Sequence, residues 1–190
     1  ARSVSGLQYS ARMPRSWSLS AKLGAIGGAL LLMAFASIGL TLWVTWQLEG
    51  GAAAVNEAGR MRMQTWRMAQ TLARADAQQI AGLAAQFDQS VNVLRTGDPA
   101  RPLLVPHDAL SQDAFAAVQR DWLELKARWT ALPGPGAELS GQQADAFVVR
   151  IDTFVSAIEH HLSRLTAILN AVQFVMVALT IGSAIALLYS

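Results

Sequence analysis

Between Leu23 and Trp46 the chain runs 24 residues without a charged side chain. As a helix this run reaches about 36 Å, against roughly 30 Å of bilayer hydrocarbon. A second uncharged run, Leu165 to Tyr189, tolerates only Asn170 and Gln173 among strongly polar groups. Trp43, Trp46 and Tyr189 lie near the ends of these runs, where amphipathic rings favour the membrane interface. Two such runs constrain the chain to a pair of transmembrane helices with everything else hung between them or beside them. A cleaved signal peptide is the rival reading of the first, with Ala52-Ala53-Ala54 imitating a cleavage site. Its apolar stretch is longer than the 7–15 residues usual for a signal.

The charge distribution orients the spans. Residues 1–22 carry Arg2, Arg12, Arg15 and Lys22 and no acid, so the positive-inside rule keeps this tail in the cytoplasm. Residues 47–164 then face outward, into the periplasm. They hold eleven basic and thirteen acidic side chains, a net −2. The sequence pI of about 9.5 therefore reflects a basic tail and not a nucleic-acid surface, and basic residues interleaved with aromatics are missing. At 53% hydrophobic residues, the chain is too apolar for an ordinary soluble domain. It has no cysteine, which excludes disulfides, thiolate metal sites and cysteine nucleophiles.

Within 47–164 the apolar residues recur at helical spacing. Phe115, Val118, Trp122, Leu125, Trp129 and Leu132 form one seam, predicting a helix over about 110–132. Phe147, Ile151, Phe154, Ile158, Leu162 and Leu165 form another that runs into the second span. Ile80, Leu83, Phe87, Val91 and Leu94 form a third, and a fourth helix continues from the first span to about residue 72. Gly97-Asp98-Pro99 opens a loop stiffened by Pro102 and Pro106, and Pro133-Gly134-Pro135-Gly136 ends the third helix. Ser140 followed by Gln143 reads as a capping box opening the last helix. Between 72 and 78 no Pro or Gly marks the break. The expected fold is all-α: an up-down-up-down four-helix bundle flanked by two transmembrane helices. Its parts are a cytoplasmic tail (1–22), a first span (23–46), a periplasmic four-helix-bundle domain (47–164) and a second span (165–190). The seam aromatics read as core, and the adjacent His160 and His161 as interfacial polar residues. Neither a metal-spaced cluster nor a nucleophile with its base is present, so catalytic and metal sites are expected to be none.

The stretch 48–73 carries the functional signal. Leu48, Ala52, Val55, Gly59, Arg62, Trp66, Ala69 and Ala73 repeat with heptad steps, and every member but Arg62 is apolar or small. A neighbouring stripe of Ala54, Ala58, Met61, Thr65, Met68 and Leu72 suits the chain's own bundle. Glu57, Arg60, Gln64 and Arg67 fall on the remaining side, spaced for ordinary surface pairing. A helix with two apolar stripes has one to spare for a symmetric partner, so a homodimer is expected. Were the Arg62 seam on the two-fold axis, two guanidiniums about 6 Å apart would repel by about 3 kcal/mol at an effective dielectric near 20. A planar oxyanion relieves that repulsion by accepting a fork of hydrogen bonds from each. The alternative is that Arg62 snorkels or pairs with an acid on another helix.

Ala54 to Met68 (Ala-Val-Asn-Glu-Ala-Gly-Arg-Met-Arg-Met-Gln-Thr-Trp-Arg-Met) resembles the P-box of nitrate/nitrite-sensing histidine kinases of the NarX/NarQ type. Asn56, Ala58, Gly59, Arg62, Met63, Gln64 and Arg67 match in register, and Phe147 to Val155 resembles a second, weaker box. Arg60 stands where that family usually has a small Ser. The resemblance implies nitrate or nitrite held between the two Arg62 side chains of a dimer, with Gly59 contributing from its backbone. Asn56 and Met63 complete the implied ligand site, and Trp66, one turn above Arg62, either covers the anion or serves core or interface packing. It further implies a multi-pass protein of the bacterial inner membrane, with a kinase module that alone needs ATP and a downstream response regulator as partner. No cofactor is expected within 1–190. A related box occurs in pilus-associated chemotaxis receptors. The same input fold on a methyl-accepting chemotaxis receptor is therefore the alternative, and a purely structural membrane protein is a third.

Overall fold

A computed structural model describes residues 19–74, 76–131 and 137–188. They form four helices: α1 (Leu19–Leu72), α2 (Ala77–Thr96), α3 (Ala109–Ala131) and α4 (Ala137–Leu188). The expected Pro-Gly break at 133–136 and the interfacial Tyr189 lie outside the described residues. At 54 and 52 residues, α1 and α4 are each about 80 Å long. Both are long and apolar enough to cross a membrane, with mean hydropathies of 2.1 and 1.9 in windows that bury no residue.

Away from these windows the helices share one core. α1 packs along α4, α3 along α4, α1 along α2 and α2 along α3, so each helix has two neighbours in a closed ring. The three seams read from periodicity supply the interior: Phe87, Phe115, Val118, Trp122, Leu125, Trp129, Phe147, Ile151, Phe154 and Ile158 are buried. Phe87 lies against Trp122 with ring centroids 4.0 Å apart, and Phe115 against Phe154 at 5.2 Å. The two buried indoles keep their polar ends satisfied, as they must in a dry core. Trp122 Nε1 donates to Asp88 at 2.8 Å, and Trp129 Nε1 donates to Gln143 at 2.9 Å.

The break between α1 and α2 falls at 73–76. Asp76 ends it as an N-cap, accepting from the Gln79 amide at 3.0 Å. α2 stops at Gly97, whose φ of +81° favours glycine and whose N–H returns to the Val93 carbonyl. Asp108 caps α3 by accepting from the Ser111 amide at 3.1 Å. The capping box at Ser140 is corrected. α4 is already helical from Ala137, so Ser140 lies inside it, buried with its hydroxyl 3.5 Å from the Ala69 carbonyl. Gln143 serves Trp129 instead of a cap.

The connection between α2 and α3 is packed along its length. Leu103 and Val105 enter the core, and the Leu104 amide donates to the Gly50 carbonyl at 3.3 Å. Gly50 and Gly51 let two leucine side chains close on α1 here. A Cβ on Gly50 would come within 2.8 Å of the Leu104 side chain, and one on Gly51 within 2.7 Å of Leu162 on α4. By contrast, added Cβ atoms at Gly24, Gly27 and Gly28 meet nothing.

Candidate functional site

The outer half of α1 presents three faces. The stripe Ala54, Ala58, Met61, Thr65 and Met68 is buried in the chain's own core, as its spacing requires. The free face is rotated from the expected one. Ala69 is buried at 6% exposure and Val55 packs on the core, whereas Ala52, Asn56, Met63, Trp66 and Gln70 are exposed. Met63 and Trp66 are the large apolar members of this face, at 53% and 39% exposure. Gly59 lies between them and Asn56, partly exposed. A Cβ there would meet only the Arg62 guanidinium, at 3.7 Å, so the packing of this chain does not demand a glycine.

Arg62 sits at the edge of the free face. Its Nη1 donates to Asp152 Oδ1 of α4 at 2.7 Å, with both side chains just under half exposed. Within one chain, then, Arg62 is paired with an acid on another helix, the alternative left open by spacing. The exposure of both partners leaves the pair worth at most about 1 kcal/mol. Asp152 was within reach of sequence reasoning: Asp145, Asp152 and Glu159 recur every seven residues along α4, on a flank that α1 must meet.

The third face is also corrected. Glu57 and Gln64, expected on an ordinary surface, are 2% and 5% exposed. α2 and the 98–101 turn cover them. Glu57 pairs with Arg60 at 3.6 Å and with Arg101 at 3.4 Å, and Arg101 is anchored by Asp98 at 2.8 Å. The Ala100 amide and the Arg101 side chain hold the Asp98 carboxyl below its usual range, and Asp98 in turn raises Arg101. The P-box-like stretch therefore splits, with Asn56, Gly59, Met63 and Trp66 outward, Arg62 toward α4, and Gln64 and Arg67 toward α2.

Lower on the domain, His161 is not merely interfacial. Its Nδ1 lies 3.0 Å from Asp108 Oδ2, tying α4 to the start of α3. Burial pushes the Asp108 carboxyl up, but hydrogen bonds from Ser111 and the neighbouring imidazole outweigh it and leave it lowered. Among the described residues no group of His, Asp and Glu could hold a metal ion.

No curated protein matches the chain. A family model does, that of the N-terminal region of type IV pili methyl-accepting chemotaxis transducers, PilJ, over residues 43–147. The match begins near the end of the first apolar run, takes in the P-box-like stretch, and extends through α2 and α3 into α4. A signal-transducer sensor region built of four helices, with more than half of its length under that model, belongs to the PilJ N-terminal family.

Proposed function

We propose that the chain is the input region of a pilus-type methyl-accepting chemotaxis receptor, held in a bacterial inner membrane by the apolar ends of α1 and α4, with residues 47–164 as a helical bundle outside the cytoplasm. The observation that carries the reading is the match over residues 43–147, joined to two helices that pass without a break from the shared core into spans long enough to cross a bilayer. A second copy is the partner of the free α1 face, where Ala52, Gly59, Met63 and Trp66 offer small and apolar surface. A ligand acts by choosing between two packings of the paired bundles. The gap between such packings is on the order of a few kcal/mol.

The cysteine-free sequence makes this directly testable. In membranes, a Gln70→Cys variant should react with an impermeant maleimide from outside and a Ser20→Cys variant should not. Met63→Cys should form a chain-to-chain disulfide, while Leu123→Cys, exposed on α3, should not. Equal labelling of Gln70 and Ser20 variants, or no cross-link at Met63, would sink the arrangement.

A second reading, nitrate or nitrite sensing for a histidine kinase, is favoured by one observation: the half-exposed Arg62 guanidinium beside Gly59, exchangeable from Asp152. Calorimetric titration of nitrate into the full chain tests the anion half of that reading. One anion per two chains, lost in Arg62→Ala, supports the anion switch; a folded dimer that takes up no nitrate or nitrite leaves the chemotaxis reading alone.

A further inference from the structure

We infer that the groove between α1, α2 and the 98–101 turn is a second ligand site, built for a small polyhydroxylated carboxylate of the sugar-acid class. The groove encloses about 620 Å³. It lies on the flank of α1 away from Asp152, and Arg62 does not line it. Met63 of the free face borders it, so the second copy proposed above would stand beside the groove, whose chemistry is argued from its own arginines and amides.

Two observations define its chemistry. The first is charge. Arg60, Arg67 and Arg101 line the groove with Glu57 and Asp98, so three guanidiniums meet two carboxylates and one positive charge is left over. Arg101 is held by Asp98 and Glu57, and Arg60 leans on Glu57 at 3.6 Å. The Arg67 guanidinium makes no hydrogen bond or ion pair with any described residue, and it is exposed at the groove wall. A monoanion accepting a fork of hydrogen bonds from Arg67 balances the site. The second is an orphaned acceptor. Gln64 is 5% exposed and lines the groove, and its Oε1 is buried without a hydrogen-bond partner among the described residues. A buried acceptor left unmet costs about 1–3 kcal/mol, and turning the Gln64 amide toward the groove would offer it a ligand hydroxyl that removes that cost. Gln86 and Gln89 of α2 add further amide groups to the wall, each able to donate and accept. One negative charge with several hydroxyls beside it meets both requirements. A plain carboxylate lacks the donors, a neutral sugar lacks the charge, and a zwitterionic amino acid leaves the positive charge unbalanced.

Bound there, such a ligand bridges α1 to α2 on the same helix that carries the free face, so its occupancy bears on how that face is presented. The test is calorimetry on the full chain in lipid nanodiscs with D-gluconate, and with acetate, D-glucose and L-alanine in parallel. Saturable binding of gluconate at one per chain, with the other three failing to compete, is the expected result. Arg67→Gln should weaken it at least ten-fold and Gln64→Met about five-fold or more, the range of single charge-assisted and buried hydrogen bonds. Arg62→Ala should leave gluconate binding unchanged, and this separates the groove from the anion switch. Arg67 is exposed and Gln64→Met preserves volume, so both variants keep the fold, checked by helical circular dichroism. The site is overturned if gluconate does not saturate, if acetate, D-glucose or L-alanine binds as tightly, or if neither variant lowers affinity.

Discussion

The two ends of α1 are one continuous helix with opposite surroundings. From 50 to 72 it is striped, with Ala54, Ala58, Met61 and Met68 buried and Asn56, Met63 and Gln70 exposed. From 23 to 43 it is apolar nearly all round and buries nothing, with Leu31, Leu32 and Phe35 standing 60–71% exposed. α4 repeats the contrast, from Ile151, Phe154 and Ile158 at 0% exposure to Phe174 at 78%. The striped half is specified by what it packs against. The unstriped half is specified by its solvent, since the same side chains left bare in water would collapse or aggregate. Helicity is common to both, and the periodicity of the apolar residues is what divides them.

That contrast can be broken by truncation. Phe154→Ala should cost the folded domain about 3–5 kcal/mol, as a buried aromatic does. Phe35→Ala should leave the same unfolding transition unmoved when both are followed by tryptophan fluorescence in denaturant. Glycine substitution is the next largest lever. Gly51→Val forces Leu162 aside and should cost about 1–3 kcal/mol, whereas Gly28→Ala, whose Cβ meets nothing, should be neutral.

Smaller effects sharpen the picture inside the striped half. Asp108→Ala removes the α3 cap and should cost about 1 kcal/mol at neutral pH. Because the Asp108 carboxyl is lowered in the folded chain, the stability it adds is present above its unfolded value and lost as pH falls through the folded one. The stability gap between the native chain and Asp108→Asn should therefore close below about pH 4, as read from denaturation midpoints. The least change is expected from Arg62→Gln, which loses a half-exposed pair and should cost under about 1 kcal/mol. A larger loss there would mean that Arg62 holds the fold and is not free for a ligand.

Much of this was legible in the residues. The seams through Phe87, Trp122 and Phe154 held each aromatic ring that meets another among the described residues, because a period of 3.6 is a property of the backbone and survives any context. Asp76-Ala77-Gln78-Gln79 holds a capping signature, which would have located the α1–α2 break without a Pro or Gly. What spacing could not supply was rotation. Whether Arg62 or Met63 lies at the centre of the free face depends on where α4 and α2 sit around α1, a matter of about one residue's turn. The same applies to Glu57 and Gln64, buried by a turn at 98–101 that is distant in sequence. Ser140 shows the other limit: a Ser three residues before a Gln has the form of a cap, but the helix had begun at 137 and the pair serves interior contacts.

At Gly50–Gly51, Leu104 presses on α1 from one side and Leu162 from another. Beyond this pair about 32 Å of α1 is held by its neighbours as far as Leu72, and before it about 46 Å reaches to Leu19 with Val44 the one large side chain buried among the described residues. Held along one arm and bare along the other, α1 carries a shift of its packed arm to its far end as movement of the whole rod.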